Sequence, residues 1–475
     1  ENVMNSPGLG QLIYAAIIKQ DQYVVMAGVV IGCAMLVAGQ LIADILLALA
    51  DPRIRLEREK IPAKGIAVFT ACAAAAIAGL TWACETFPEF FGIVKTASFW
   101  AAMAGAAVLA LMLALGLFWA AAFFCKNLLP QTLRSKRGAA ALAILAAMYA
   151  AAIFAPFLAP YSPTEQCLDK SFHPPTKIFF ENGSLRAQCY RQSDPSIAQY
   201  EPVEGESLPI KFFVRDEKSD CKIFGLIPFN ARLFGVDSPE PDARVYLLGA
   251  DSTGRDVFSR LLYGARVSLS IGFAGIAITM VLGFLVGGLA GYFGGAFDFA
   301  AMRFVEFLMA IPSLYLLLAM RSALAPHFDS AQMYVMIVII LSALGWAGTA
   351  RVVRGMSLSL ANAQYVQAAK AMGESPVKII IRHFLPNVLS YLIVGATLSI
   401  PAYVLGEAAL SFLGLGIQEP SASWGLMLAQ AQNDTKVLML GFWWMLTPGA
   451  AIFATVLCFN ILGDILRDAA DPKKD

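Results

Sequence analysis

Two charged side chains inside an apolar run and one mixed loop are the places where this chain could do chemistry. Arg303 and Glu306 stand three residues apart on one helix face, where a guanidinium and a carboxylate can pair. Charge inside a membrane-length apolar segment is costly. These two, with Pro312 in the same run and Glu407 in a later one, are therefore the candidates for a translocation path or a helix pair. For the pair itself, a structural salt bridge near the cytoplasmic boundary is favoured over a substrate contact.

Familiar catalytic machinery is missing from the sequence. It holds no G-x-x-x-x-G-K-[ST] phosphate loop, no H-E-x-x-H and no G-x-S-x-G. The eight cysteines, at 33, 72, 84, 125, 167, 189, 221 and 458, form no C-x-x-C pair, and only His173, His327 and His383 could join them around a metal. No metal and no cofactor is expected, an intramembrane enzyme is the weakest reading, and any chemical energy must come from another chain.

The mixed loop is QAAKAMGESPVKIIIRHFLP, Gln367 to Pro386. It combines a helical stretch, Gly373 as a breaker, an apolar and basic second helix, and Pro386 ahead of the next apolar run, so it reads as two short helices joined at a turn. An amphipathic helix outside the bilayer needs a groove to cover its apolar face, and Ala368 and Ala369 are small enough for close docking. A soluble partner is implied, although a helix serving only as a linker would carry the same features.

Long apolar elements must hold these residues. The 475 residues are 58% hydrophobic and 15% charged, more apolar surface than one soluble core of that length would bury, so the chain reads as a membrane protein. Lysines and arginines gather in short clusters between apolar runs and form no single basic face, which argues against nucleic acid as a partner. A crossing helix needs about 20 apolar residues. Runs of that kind sit near 22 to 49, 65 to 84, 98 to 124, 138 to 158, 267 to 290, 299 to 322, 333 to 353, 389 to 411 and 440 to 464.

Basic short loops stay inside. Arg53 to Lys64, Lys126 to Arg137, the loop from Arg351 to Pro386, and Lys473 with Lys474 all fall on one side by simple alternation. Residues 161–247 then lie outside, as a polar, proline-containing insert. Within it, TKIFFENGSLRAQCY predicts a hairpin with Asn182-Gly183 as a two-residue turn, and LPIKFFVRD predicts a further strand. Cys167, Cys189 and Cys221 allow one disulfide with a thiol left over; spacing does not choose the pair.

The ends of the chain repeat each other. Glu1, Gly8, Leu9 and Gly10 recur at the same spacing as Glu407, Gly414, Leu415 and Gly416, and DILLALADPR at Asp44 is echoed by DILRDAADPK at Asp464. Residues 1–60 therefore read as the tail of one unit, 61–137 as two bridging spans and a basic loop, and 138–475 as a second unit of six spans. The first residue is Glu1, not Met, in a stretch that does not read as a start, so the first unit is expected to have lost its front.

The Gln367 to Pro386 loop resembles the coupling motif of ATP-binding-cassette importer permeases, which runs E-A-A, then G, then I-x-L-P. Ala368, Ala369, Gly373, Leu385 and Pro386 match at the family spacing, with Gln367 replacing the usual Glu and His383 the usual Ile. LLGADSTGRDVFSRLLYGARVSLSIG (Leu247 to Gly272), EAALSFLGLGIQEPSASWGLML (Glu407 to Leu428), FAPFLAPYSPTEQ (Phe154 to Gln166) and NILGDILRDAADP (Asn460 to Pro472) resemble further segments of dipeptide and oligopeptide permeases, in family order. Residues 130 to 475 look like the C-type member of the pair. SPGLGQLIYAAIIKQDQYVVMAGVV (Ser6 to Val30) looks like the end of a B-type partner.

The resemblance implies an all-α polytopic fold: a type I importer permease core of six helices, about three further N-terminal spans, and a small β-containing extracytoplasmic insert. It implies a bacterial inner-membrane location, a second (B-type) permease half, ABC ATPase subunits, an extracytoplasmic solute-binding protein, a peptide substrate and contact with membrane lipid. The loop would carry ATPase closure to the helices, with Pro312, Pro401 and Gly406 as pivots. Relatives with these motifs also carry nickel complexes, glutathione, sugars or peptide antibiotics. A secondary transporter independent of ATP would share the hydropathy but has no use for the loop.

Overall fold

The structure, a computed structural model, describes residues 129–181, 183–194, 197–215, 222–223, 227–228, 231–236, 243–310, 330–412 and 416–470, with a few helical positions between 12 and 35. Apart from those positions, the segment 1–60 read as the end of a B-type unit lies outside the described residues, as do the apolar runs near 65 to 84 and 98 to 124, Pro312 and Cys221. Among those described, the chain forms two compact units. One, the loop unit, is built from residues 277–310 and 342–393; the other, the sheet unit, from residues 129–276, 330–341 and 394–470.

The helices in chain order are α1 (Leu129–Arg134), α2 (Lys136–Ile153), α3 (Ala155–Leu158), α4 (Val257–Phe293), α5 (Gly295–Ala310), α6 (Ser330–Ala361), α7 (Gln364–Ala371), α8 (Pro376–Ile379), α9 (Leu385–Phe412), α10 (Trp424–Asn433), α11 (Thr435–Met439) and α12 (Thr447–Ala470). Five stretches are long and apolar enough to cross a membrane: 136–153, 257–293, 334–361, 376–412 and 443–469. They fall on five of the apolar runs read from the sequence. The run near 299 to 322 begins as α5, and its remainder lies outside the described residues. With 37 residues, α4 is about 55 Å long, nearly twice the ~30 Å hydrocarbon layer, so it must project from the membrane.

Small residues set how closely the helices pack. Gly283, Gly287 and Gly291 form a stripe on α4 where any side chain would run into Thr349, Ala350 and Ser357 of α6. Between lipid-embedded helices, close backbone approach supplies the dispersion contact that hydrophobic burial cannot. In the sheet unit the same device places Gly272 and Gly275 of α4 against Ile400 and Tyr403 of α9. Ala152, Ala265, Leu269, Trp424 and Ile452 form a core there, with the Trp424 indole donating to the Leu261 carbonyl at 3.0 Å.

The insert is an antiparallel sheet in the order β1-β2-β3-β6, from β1 (Ile178–Glu181), β2 (Ser184–Asp194), β3 (Gln199–Arg215) and β6 (Ala231–Val236); β4 (Lys222–Ile223) and β5 (Ile227–Pro228) pair separately. Glu181 faces Ser184 across a two-residue turn, with Gly183 at φ +79° as such turns require. Leu208 to Arg215 of the LPIKFFVRD stretch form the second half of β3. Among the described cysteines, no disulfide joins Cys167 to Cys189.

Candidate functional site: a helix, a glycine turn and a helix

The Gln367 to Pro386 loop closes α7 with a Schellman turn. The Gly373 N–H donates to the Lys370 carbonyl (3.0 Å) and the Glu374 N–H to that of Ala369 (3.1 Å), with Gly373 at φ +80°. Ser375 then precedes α8, and Pro376 takes its first position, where the missing N–H costs nothing. A second short helix does not end before the span, as the sequence suggested at Pro386. Helix runs unbroken from Pro376 to Phe412, through a widened π turn at Ile380–Phe384. Pro386 lacks an N–H, and its ring presses on the carbonyl four residues earlier; the wide turn just ahead of it absorbs both effects.

Burial divides the loop into two faces. Val366, Ala369, Ile379, Ile380 and Phe384 point inward and pack with Phe284, Val353, Ala361 and Val388. Ala369 thus packs within the unit, and Ala368 is exposed. Tyr365, Met372, Val377 and Ile381 point outward as exposed apolar side chains, Met372 at 80% and Val377 at 63%. Gln367 is exposed along its body, yet its amide donates to the Ala361 carbonyl at the end of α6 (2.8 Å). A carboxylate there could not donate.

Charge ties the turn to the π segment. Glu374 accepts from Lys378 (2.9 Å) and His383 Nε2 (3.0 Å), with Arg382 at 3.7 Å. The hydrogen bond from Lys378, then that from His383, holds the Glu374 carboxyl below the usual carboxylate range. Asn387 donates back to the His383 carbonyl at 2.7 Å. Leu385 is half-buried and Pro386 exposed. The element is a braced lever with an apolar outer ridge.

Arg303 and Glu306 do pair, at 2.7 Å, with both side chains part-exposed. They are not alone: with Asp298, Arg351 and Arg354 they line a cavity of about 250 Å³, where Arg354 grips Asp298 through two hydrogen bonds of 2.5 Å. Glu407 is elsewhere, fully buried in the sheet unit. It accepts from Ser411 (2.7 Å) and Ser268 (3.0 Å), and the Trp424 N–H in turn donates to Ser268. Its place is a hydroxyl-lined joint between α4, α9 and α10.

Residues 273–475 match the family model described as binding-protein-dependent transport system inner membrane component. Residues 126–175 match that for the N-terminal TM domain of oligopeptide transport permease C. A dipeptide transport system permease protein of Bacillus subtilis is 41% identical over 234 residues, 49% of this chain and 70% of the relative. The chain belongs to this permease family. An oligopeptide transport system permease protein of Haemophilus influenzae is 39% identical over 228 residues, 48% of this chain and 70% of its own. Another, from Bacillus subtilis, is 35% identical over 238 residues, 50% and 75%. Like its family, the permease is a mostly helical, multi-pass inner-membrane protein.

Sequence reasoning missed a buried charge network in the sheet unit of the permease. Asp251 accepts from the Thr253 and Arg255 backbone N–H groups, from Arg255 Nε at 2.7 Å and from Arg260. Both arginines also reach Glu419. Burial pushes the Asp251 carboxyl up, but Arg260 and Arg255 together outweigh it and hold the carboxyl below its ordinary range. Beside it, Asp256 caps α4 through the Ser259 N–H (2.8 Å) and hydroxyl (2.6 Å), and burial raises its pKa to about 6. The signal was in view as the acidic and basic residues of GADSTGRDVFSR, but their partner Glu419 lies 164 residues beyond Arg255.

Proposed function

We propose that the chain is the C-type transmembrane permease subunit of an ATP-binding-cassette importer for peptides, coupled to its ATPases through residues 367–386. The observation that carries this is the braced helix–glycine–helix element with an exposed apolar ridge. Met372, Val377 and Ile381 face outward on a loop whose inner side is packed against α4, α6 and α9. Such a ridge is stable in water only when a partner groove covers it, and a loop packed on three helices transmits force to them.

ATP is hydrolysed on separate subunits, a solute-binding protein delivers peptide, and a B-type half completes the pore. The basic-loop pattern supports an extracytoplasmic insert at 161–247 and a cytoplasmic C-terminus. Residues 1–60 are read as the end of a B-type unit and 61–137 as the bridge to the C-type unit at 138–475. Gln367, Ala368, Gly373 and His383 shape the docking element. Ala369, Leu385 and Pro386 seat it, and Arg303 with Glu306 is a structural pair at the rim of a charged cavity.

The test is reconstitution of the chain with its B-type partner, ATPases and binding protein in proteoliposomes. Peptide uptake that requires ATP, and ATP hydrolysis stimulated by the loaded binding protein, are expected. Peptide uptake by the chain without ATPases would overturn the reading in favour of a secondary transporter.

A further inference from the structure

The insert's sheet is two-faced. Opposite residues in an antiparallel sheet point the same way and alternate along each strand. The register Ile178↔Ala187, Phe180↔Leu185, Ala187↔Leu208, Ile210↔Val236 and Phe212↔Phe234 therefore puts an apolar set on one face, ended by the pair Val214↔Arg232. The opposite face is mostly polar: by the same register it carries Glu181, Ser184, Arg186, Gln188, Ser207 and Lys211, with Phe179 and Pro209 among them, and Arg186 is bonded to Ser207 at 2.7 Å.

The apolar face is covered in part only. Ala187 is fully buried, and Phe234 meets the Phe258 ring of α4 at 6.4 Å. Ile178, Phe180 and Phe212 remain exposed, Phe180 at 73% and Phe212 at 55%. A contiguous exposed patch of this kind marks an interaction surface.

What it meets is fixed by where the sheet is tied down. Arg232 of β6 donates to the Pro160 carbonyl, just past α3. The Phe213 ring lies 6.1 Å from that of Phe157 in α3. That helix directly follows α2, a membrane-length helix whose last residue, Ile153, is exposed, as is Phe154 beside it. Arg232, opposite Val214 and in step with Phe212 and Phe234, thus ties the apolar face itself beside α3, next to the exposed apolar residues at that end of the membrane-length α2.

We infer that this face lies on the bilayer, with Phe180 and Phe212 seated in the boundary between headgroups and acyl chains of the leaflet beside the insert. The partner is phospholipid. Aromatic side chains favour that boundary, and an amphipathic element lying in it buries its apolar side by roughly 5–10 Å. The polar face then looks away from the membrane, and the insert becomes a platform held parallel to it.

Replacing Phe180 or Phe212 by the photoreactive p-benzoylphenylalanine adds a benzoyl ring, and because both positions are exposed the added ring has room and the fold should be kept. The full chain is irradiated in vesicles of phosphatidylethanolamine and phosphatidylglycerol and in bacterial membranes, and adducts are read by mass. Phe453, 68% exposed on the membrane-length α12, is the lipid-facing reference, and Glu201, exposed in the distal half of β3, is the water-facing one. Lipid adducts at 180 and 212, at a yield within about threefold of 453 and at least tenfold above 201, are expected. Adducts to a protein partner at 180 and 212, or lipid yields there no higher than at 201, would overturn the inference. Neither outcome bears on ATP coupling.

Discussion

Gly373 offers a clean perturbation, because a Cβ built there meets nothing within 4 Å while its φ is +80°. Any effect of substitution is therefore conformational, without a clash. The left-handed region costs an ordinary L residue about 1–2 kcal/mol, with alanine near the lower figure and a β-branched residue near the upper. One or two kcal/mol is a factor of roughly 5–30 in an equilibrium constant. The Gly373 and Glu374 amides that close the turn are the reporters, since each exchanges with solvent only when its bond to Lys370 or Ala369 opens. Hydrogen exchange read on a peptide spanning residues 369–378 should speed about fivefold in Gly373→Ala and about thirtyfold in Gly373→Val. Gly373→Asn should stay close to wild type, because asparagine tolerates this region. Stimulated ATP hydrolysis in the full complex should fall in the same order. If Gly373→Val exchanges as slowly as glycine, the turn does not depend on this backbone conformation and the argument fails.

Three other perturbations follow from the same geometry. Asp256 is an acid whose folded pKa is raised from 3.8 to about 6. The folded state therefore binds the extra proton between those values, and the anion's burial penalty is fully felt above pH 6 and relieved below pH 4. Asp256→Asn, which keeps the cap, should gain on the order of 1–3 kcal/mol at pH 7.5 and nothing at pH 4; equal gains at both pH values would contradict this. Asp251→Asn leaves Arg255 and Arg260 buried with a weakened partner and should cost about 3–5 kcal/mol in a denaturant titration in micelles; a loss under ~1 kcal/mol would show the network to be dispensable. Gln367→Glu removes the donor to Ala361, so exchange at the Gln367 end of α7 should rise severalfold, and no change would show that the amide is idle.

The parts of this fold that announce themselves do so locally. Asn182-Gly183 between two strand-forming runs specifies a hairpin within a few residues, and Gly373 followed by Ser375-Pro376 specifies a helix stop and restart. Hydropathy marks the spans because the bilayer demands length and apolarity together. Arg303 and Glu306 were visible because i, i+3 spacing is itself the geometry. What escaped was non-local or required backbone relaxation. Arg354 finds Asp298 across 56 residues, and Asp251 and Glu419 are joined only because Arg255, just ahead of α4, and Arg260, in its first turn, reach both. The helix running past Pro386 depends on a π turn that no residue type dictates. Glu407 stood out by charge as a path or helix-pair candidate, and its burial among serines follows from packing that spacing does not encode.

The central claim is that the outer ridge of residues 367–386 is where an ATPase docks. Met372→Asp combined with Val377→Asp alters only exposed positions, so the isolated permease should keep its thermal stability within about 0.5 kcal/mol. The decisive measurement is co-purification of the ATPase subunits with the permease pair in detergent, scored against wild type. Loss of at least nine-tenths of the bound ATPase, with the B-type partner still attached, is the predicted result. Full retention of ATPase by the double variant would contradict the account and place the coupling surface elsewhere.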